Sequence, residues 1–421
     1  MKTYLVGGAV RDELLGLAVT ENDWVVVGAT PQQMLDQGYR QVGNSFPVFL
    51  HPDTGEEYAL ARTEKKTGAG YGGFAFDFNT EVTLEQDLSR RDLTINAIAK
   101  NTTGKLIDPY GGLADLKQRT LRHISEAFDE DPLRILRVAR FRAKLDHLGF
   151  EIHPKTFTLM QSLSASDELL ALSSERIWLE LQKGLSTTAP DVFIRTLYQC
   201  GALQKILPEL NRRFLHSDNL RDTAKQIGDR TVLALRYLAQ KHSTQSTGTK
   251  AEQLTQRQLA SWVICCHALE DNTSPKNLVP RVVSKFNSEK SEVRALCERL
   301  GSPNEFKRLA ILGSYYLHII IQARHCNPQL IVDLLDACDA WRKPEQFKLL
   351  LLAAECLTST HSETPQHNLE SITLLRQAHK NCLEIKAQRF VDQGITGEAV
   401  GEAIRNARKV AVAELKRMFA G

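Results

Sequence analysis

Tyr4-Leu-Val-Gly-Gly-Ala-Val-Arg-Asp12, followed by Thr20-Glu-Asn-Asp23-Trp-Val-Val-Val-Gly28, decides how this chain folds. Tyr4 to Val6 predicts a short buried strand and Val10 to Leu15 the first turns of a helix. Gly7 and Gly8 stand at the junction, where a missing Cβ lets the backbone approach a ligand closely. The N–H groups that open such a helix have no intrahelical partner and suit an anion such as a triphosphate. Arg11, one turn in, adds a fixed positive charge. Glu21 and Asp23 then lead into the apolar run Trp24 to Val27. Residues two apart in a strand share a face, so both carboxylates are expected to project together from a rigid support. Two hard oxygen ligands beside a triphosphate cradle are what Mg²⁺ bridging to phosphates requires.

A glycine turn, a helical arginine, an acidic pair and an apolar strand, in that order, resemble the nucleotidyltransferase head of the DNA polymerase beta superfamily. The whole chain leaves room for more than that head. Its 421 residues are enough for two or three domains. Composition is that of a globular protein, 42% hydrophobic and 24% charged. Net charge is only +3, so a nucleic-acid surface must be a local patch. No apolar run approaches the roughly 20 residues that cross a bilayer, and Met1-Lys-Thr-Tyr4 carries no signal-peptide core. All eight cysteines lie from Cys200 onward without a C-x-x-C pair, as expected of thiols in a reducing cytosol. The expectation is a cytoplasmic protein without structural zinc or membrane attachment.

Beyond the opening motif, Pro31 to Gly38 predicts a short helix and Arg40 to Leu50 irregular strand. Glu56 to Arg62 alternates as a half-buried strand does. Glu57 there is a candidate third active-site carboxylate, with an exposed strand acid as the other reading. Arg62 to Gly73 is basic and holds four glycines, which predicts a mobile loop. That loop is either a plain connector or a flap closing over nucleotide or primer. Next, Arg90-Arg-Asp92 precedes an apolar helical start with Asn96 one turn on. Arg91 can clamp a triphosphate bidentately, as arginine does better than lysine. Asp108-Pro-Tyr-Gly-Gly-Leu-Ala-Asp115 predicts a turn opening a helix, a structural joint.

Asp131 precedes Pro132, which suits a helix N-cap followed by proline at the first helical position. Arg134, Arg137 and Arg140 follow at steps of three, each turned about 60° around the axis. They form a slanted basic stripe that starts at an acidic cap.

Together these stretches resemble the class II tRNA nucleotidyltransferases, the bacterial CCA-adding enzymes. The matching motifs are Gly7-Gly-Ala-Val-Arg-Asp12, Glu21-Asn-Asp-Trp-Val-Val-Val-Gly28, Arg90-Arg-Asp-Leu-Thr-Ile-Asn-Ala97, Asp108-Pro-Tyr-Gly-Gly-Leu-x-Asp-Leu116 and Glu130-Asp-Pro-Leu-Arg134. Ser173-Ser-Glu-Arg-Ile-Trp178 to Glu180 is similar to a further helical motif of that family. The resemblance runs in order over roughly residues 1 to 210. It implies Mg²⁺ on Glu21 and Asp23, nucleotide binding by Gly8, Arg11, Arg91, Arg137 and Arg140, and base reading by Asp131 and Arg134. The first metal acid is more often Asp in the family, and Glu21 adds a methylene there. Cytosine and adenine each offer an amino donor beside a ring acceptor, whereas uracil and guanine reverse the pair. A carboxylate only accepts and a guanidinium only donates, so one Asp–Arg pair serves both C and A.

The implied fold is an α/β nucleotidyltransferase (polymerase beta-like) head followed by an all-α C-terminal region. The expected division is a catalytic head over 1–120, a helical neck with base recognition over 121–210, and a helical, tRNA-binding body and tail over 211–421. The implied reaction is template-independent addition of C, C and A to the 3′ end of tRNA from CTP and ATP. Expected partners are tRNA, through its acceptor stem and 3′ end, and the two nucleotides, with no membrane and no protein partner. Two rival readings stand beside it. A poly(A) polymerase of the same superfamily is expected to carry extra basic terminal segments. A non-catalytic RNA-binding protein has no need of metal ligands.

Past Val192 the chain predicts helices separated by polar breaks at His242 to Lys250 and Thr358 to Pro365. Asp333, Asp336 and Asp339 are read as a solvated helix face. The final helix is expected to gather Ile404, Ala407, Val410, Ala411 and Leu415 on one side, with Arg405, Arg408, Lys409 and Lys416 as candidate tRNA contacts. Some relatives of the resembled family carry a phosphohydrolase domain whose metal site needs a His-Asp pair. No such dipeptide occurs here, and Ala268 follows His267 at the nearest trace. No phosphohydrolase activity is therefore expected.

Overall fold

The computed structural model describes residues 1–42, 48–66, 74–77, 79–214, 223–245, 249–267, 269, 291–359 and 365–420. The chain forms two compact units, Met1–Leu181 with Thr196–Ile206, and Gln182–Arg195 with Leu207–Gly421.

In the first unit, strand β1 (Lys2–Val6) runs into Gly7 and helix α1 (Gly8–Leu14), as its sequence predicts. Strand β2 (Asp23–Val27) returns antiparallel to β1, with Val6 opposite Asp23 and Lys2 opposite Val27. Helix α2 (Pro31–Asp36) starts at a Thr30–Gln33 capping box. The segment Arg40 to Leu50 is a hairpin of β3 (Arg40–Val42) and β4 (Val48–Leu50), which feeds β5 (Glu57–Leu60). β5 lies parallel to β2 and puts Glu57 in register with Asp23. β8 (Ala99–Asn101) and β9 (Leu106–Ile107) complete, among the described residues, a seven-stranded sheet of order β3-β4-β5-β2-β1-β8-β9.

β2 sits in the middle of that sheet and is covered on both sides, which explains its unbroken apolar run. Val25 packs with Val6, Leu84 and Leu88, while Val26 packs with Met34, Phe49, Tyr58 and Leu60. Helix α3 (Leu84–Ser89) covers the first face and α2 the second.

Several expectations change. Thr63–Lys66 and Phe74–Asp77 pair as a separate antiparallel ribbon, β6 and β7, where the sequence predicts loop from Arg62 on. Residues 67–73, the rest of that loop, lie outside the described residues. The segment after Asp92 is not an α-helix but a single 3₁₀ turn, Thr94–Asn96. Helix α4 (Gly112–Gln118) packs against that turn so closely that a Cβ on Gly112 would lie 2.3 Å from the Thr94 carbonyl oxygen. Asp108 accepts hydrogen bonds from the Gly112 and Leu113 N–H groups, and buried Asp115 binds Thr94 and Arg122. Helix α5 (Leu133–Lys144) follows, then α6 (Pro154–Ala165) and α7 (Ser174–Leu185).

The second unit is helical throughout its described residues, with Trp262, Phe193 and Phe347 fully buried. His242 to Gln245 closes the helix Thr223–Gln245 instead of opening a loop. Asp333, Asp336 and Asp339 are not a solvated face. Arg405 of the terminal helix pairs with Asp333 and Asp336, and Asp339 binds Arg308 at 3.0 Å and Arg342 at 2.6 Å. In that terminal helix, Glu398–Ala420, Val410 is 58% exposed and Val412 is buried instead. The guanidinium of Arg408 lies 3.7 Å over Trp341, and Lys416 binds the Cys326 carbonyl. Lys409 donates to Asn406 at 3.3 Å, so all four candidate RNA-facing cations have contacts within the unit.

Candidate functional site

An open cleft of about 560 Å³ in the first unit collects most of the residues singled out in the sequence. Gly7 and Gly8 form its floor at the start of α1. Gly7 has φ +70°, and a Cβ there would lie 2.8 Å from Arg91 Nη1, so only glycine lets this arginine approach the turn. Gly8, Arg11, Glu21, Asp23, Arg91, Asp131, Arg134, Arg137 and Arg140 all line this cleft. Nine cationic side chains face five carboxylates there, a local excess of positive charge in a chain of net +3.

Glu21 lies ahead of β2 instead of within it. The two acids nevertheless share the cleft wall. Enclosure in the cleft raises the Asp23 pKa above the ordinary carboxylate range; Arg91 opposes this and the Glu21 charge adds to it. The pair is thus close enough to repel, and a divalent cation between the two would relieve that repulsion. Glu57 does not line this cleft. It lies in an adjoining hollow of about 400 Å³ that also reaches Glu21 and Asp23 and includes Thr54 and Glu56. Among the described residues no three His, Cys, Asp or Glu side chains converge in metal-binding geometry, so Glu57 stands beside the acidic pair without completing a triad. Glu56, its neighbour, accepts hydrogen bonds from Asn22 (2.6 Å) and Trp24 (3.0 Å), which lower its pKa.

A ladder of ion pairs and hydrogen bonds positions the cations. The Arg11 side chain, 2% exposed, donates to Asp12 at 2.9 Å and to Asn96 Oδ1. Asn96 donates to Asp92 Oδ1 at 2.8 Å, and Arg137 donates to Asp92 Oδ2 at 2.7 Å. Burial alone would raise the Asp92 pKa, yet Arg137 and the Asn96 bond hold it well below the ordinary range. Arg140 donates to Glu180 of α7 at 2.6 Å, and Arg137 lies 3.9 Å from the same carboxylate. Asp87, fully buried, anchors Arg90 at 2.9 Å and Arg91 at 3.3 Å. Arg91, which lines the cleft, has its Nε buried without a hydrogen-bond partner among the described residues.

At the other wall, Asp131 accepts from Leu133 N–H at 3.2 Å and from Arg176 at 2.7 Å; α5 starts one residue later than expected, with Pro132 and not Asp131 in the N-cap place. Arg134, 7% exposed, donates to the Arg90 carbonyl oxygen at 2.5 Å. The sequence by itself gives Asp12, Asp92, Asn96 and Glu180 no role. The signal was their place inside the recognised motifs, one acid or amide beside each arginine.

Two domain descriptions match the sequence: "Poly A polymerase head domain" over residues 3–122 and "Probable RNA and SrmB- binding site of polymerase A" over 149–214. The multifunctional CCA protein of Thioalkalivibrio sulfidiphilus (strain HL-EbGR7) is 43% identical over 422 residues, covering 100% of both chains. A CCA-adding enzyme solved in complex with CTP shares the fold with TM-score 0.65 at 21% identity, over 98% of this chain and 87% of that one. The Thermotoga maritima CCA-adding enzyme, solved with tRNA, gives TM-score 0.62 at 18% identity, over 99% and 90%.

Proposed function

The chain belongs to the family of the multifunctional CCA proteins, nucleotidyltransferases with a poly(A) polymerase-type head, and from that premise we propose that it adds C, C and A to the 3′ end of tRNA. CTP and ATP are the donors and pyrophosphate is released. The observation that supports this most is the meeting of two chemistries in one cleft. Glu21 and Asp23 offer paired carboxylates on one wall, and Asp131 with Arg134 offers one acceptor and one donor group on the other.

Enzymes of this class generally use a divalent metal. In this reading Glu21 and Asp23 would hold Mg²⁺, which would supply positive charge against the phosphates and lower the pKa of the attacking 3′-hydroxyl. Glu57, in register with Asp23, is proposed as a third active-site carboxylate. Gly8 lets the triphosphate approach the backbone at the start of α1. Arg11, Arg91, Arg137 and Arg140 spread positive charge along the phosphates, held in place by Asp12, Asp87, Asp92 and Glu180, so little reorganisation is needed as charge moves to the leaving pyrophosphate. Asp131 and Arg134 read the base edge and reject U and G through two mismatched groups. The RNA is recognised by shape and backbone, as a duplex stem presents little readable sequence. The head over 1–120, neck over 121–210 and tRNA-binding body over 211–421 remain our proposed division of labour, in the cytoplasm.

Incubating the protein with tRNA lacking its 3′ end and one nucleotide at a time tests this. CTP alone should add two residues and ATP should add one only after them. Runs of A from ATP alone would indicate a poly(A) polymerase, and binding without incorporation an RNA-binding protein.

A further inference from the structure

The arginine stripe of α5 does not stop at Arg140. Lys144 follows four residues on, the step that keeps a side chain on the same helix face, and it lines the same cleft. Its ammonium lies 2.8 Å from Asp12 Oδ2, while the other oxygen of Asp12 holds Arg11 at 2.8 Å. One carboxylate is thus shared by two cations at the end of α1. Arg140 lies close by and is itself committed to Glu180. About two-fifths of the Lys144 side chain remains accessible, so it can turn from Asp12 to a ligand in the cleft.

We propose that Lys144 binds the terminal phosphate of the incoming nucleoside triphosphate, and afterwards the released pyrophosphate. This rests on the nucleotide reading of the cleft and adds to it the residue that distinguishes a triphosphate from shorter nucleotides. A compact, mobile ammonium suits the terminal phosphate, whose oxygens are the most variable in position; fixed guanidiniums suit the inner two. Burial and the Arg11 charge lower the Lys144 pKa, with the Asp12 bond opposing them, as expected of a cation placed beside other cations. The alternative is a plain ion pair tying α5 to α1.

The two accounts separate in binding measurements with Mg²⁺ present. Lys144→Met should weaken CTP and ATP about tenfold or more, the effect of losing one charge-assisted hydrogen bond, and weaken pyrophosphate similarly. CMP should change less than twofold, and Lys144→Arg should keep most of the CTP affinity. Equal losses for CTP and CMP, or unchanged CTP binding, would overturn the proposal while leaving the nucleotide site in place. Failure of the unaltered protein to bind CTP would remove both. Should Lys144→Met not fold, acetylation of Lys144 in the unaltered protein decides. CTP and pyrophosphate should slow it and CMP should not; equal protection by all three, or by none, refutes the assignment.

Discussion

Replacing Asp92 by Asn tests the ladder that aims the phosphate-binding arginines. Asp92 is 4% exposed, and its two oxygens serve three donors: Leu93 N–H at 2.9 Å, Asn96 at 2.8 Å and Arg137 at 2.7 Å. Asparagine has nearly the same shape and can still accept from Leu93 and Asn96 through its oxygen. Its NH₂ group would then face the Arg137 guanidinium, donor against donor. Removing one partner of a fully buried ion pair costs about 3–5 kcal/mol, but the Arg137 side chain is 36% exposed and keeps Glu180 within 3.9 Å, so about 1–3 kcal/mol is expected here. Hydrogen exchange of the α5 amides reads this locally, without assuming that the two units unfold together. Protection at neutral pH should fall by about fivefold to a hundredfold.

The pH dependence has a definite sign. Asp92 titrates lower in the folded chain than in the unfolded one, so its contribution is fully present above the ordinary carboxylate value of about 3.9. It fades as pH falls below that value toward the folded one. The gap between unaltered protein and Asp92→Asn should therefore be widest near neutral pH and narrow below about pH 4. A loss under about 1 kcal/mol, or a gap that stays constant on acidification, would refute the reasoning.

Three further outcomes follow from the site. Asp23→Ala should abolish CMP and AMP incorporation while tRNA affinity stays within a few-fold, since RNA binding rests mainly on basic groups; retention of a tenth of the turnover would contradict the metal assignment. Arg134→Ala should admit UTP or GTP, because each unpaired buried polar group costs about 1–3 kcal/mol and two mismatches normally exclude them; strict C and A selectivity at reduced rate would mean that Arg134 does not read the base. No metal-stimulated hydrolysis of a 2′,3′-cyclic nucleotide is expected. His267 Nδ1 donates to the Ile264 carbonyl oxygen at 2.6 Å, burial draws its pKa down to about 4, and Ala268, outside the described residues, offers no carboxylate.

The features readable in the sequence are those set by neighbouring residues. The β1–Gly–Gly–α1 unit, the apolar β2 and the Arg134–Arg137–Arg140 stripe each depend on a few adjacent positions. Where reading failed, a distant partner decided. Glu21 falls outside β2 because β1 ends at Val6, opposite Asp23, and turns away at Gly7, leaving no strand for Glu21 to pair with. Thr63–Lys66 is strand only because Phe74–Asp77 returns beside it across a glycine-rich segment. The Asp92–Arg137 and Arg140–Glu180 pairs join residues 45 and 40 positions apart. Charge balance still gave a route to them. Arginines this enclosed require carboxylates within reach, since an unpaired buried charge is too costly to keep. Two motifs that supply a cleft arginine also carry a buried acid, Asp12 beside Arg11 and Asp92 beside Arg91, while Arg140 takes its buried acid, Glu180, from α7, two helices on. An acid in such a motif is therefore better read as the holder of an arginine than as another catalyst: Asp92 and Glu180 each bind a cleft arginine, whereas Asp23, beside Glu21, carries the metal-holding role we propose for it.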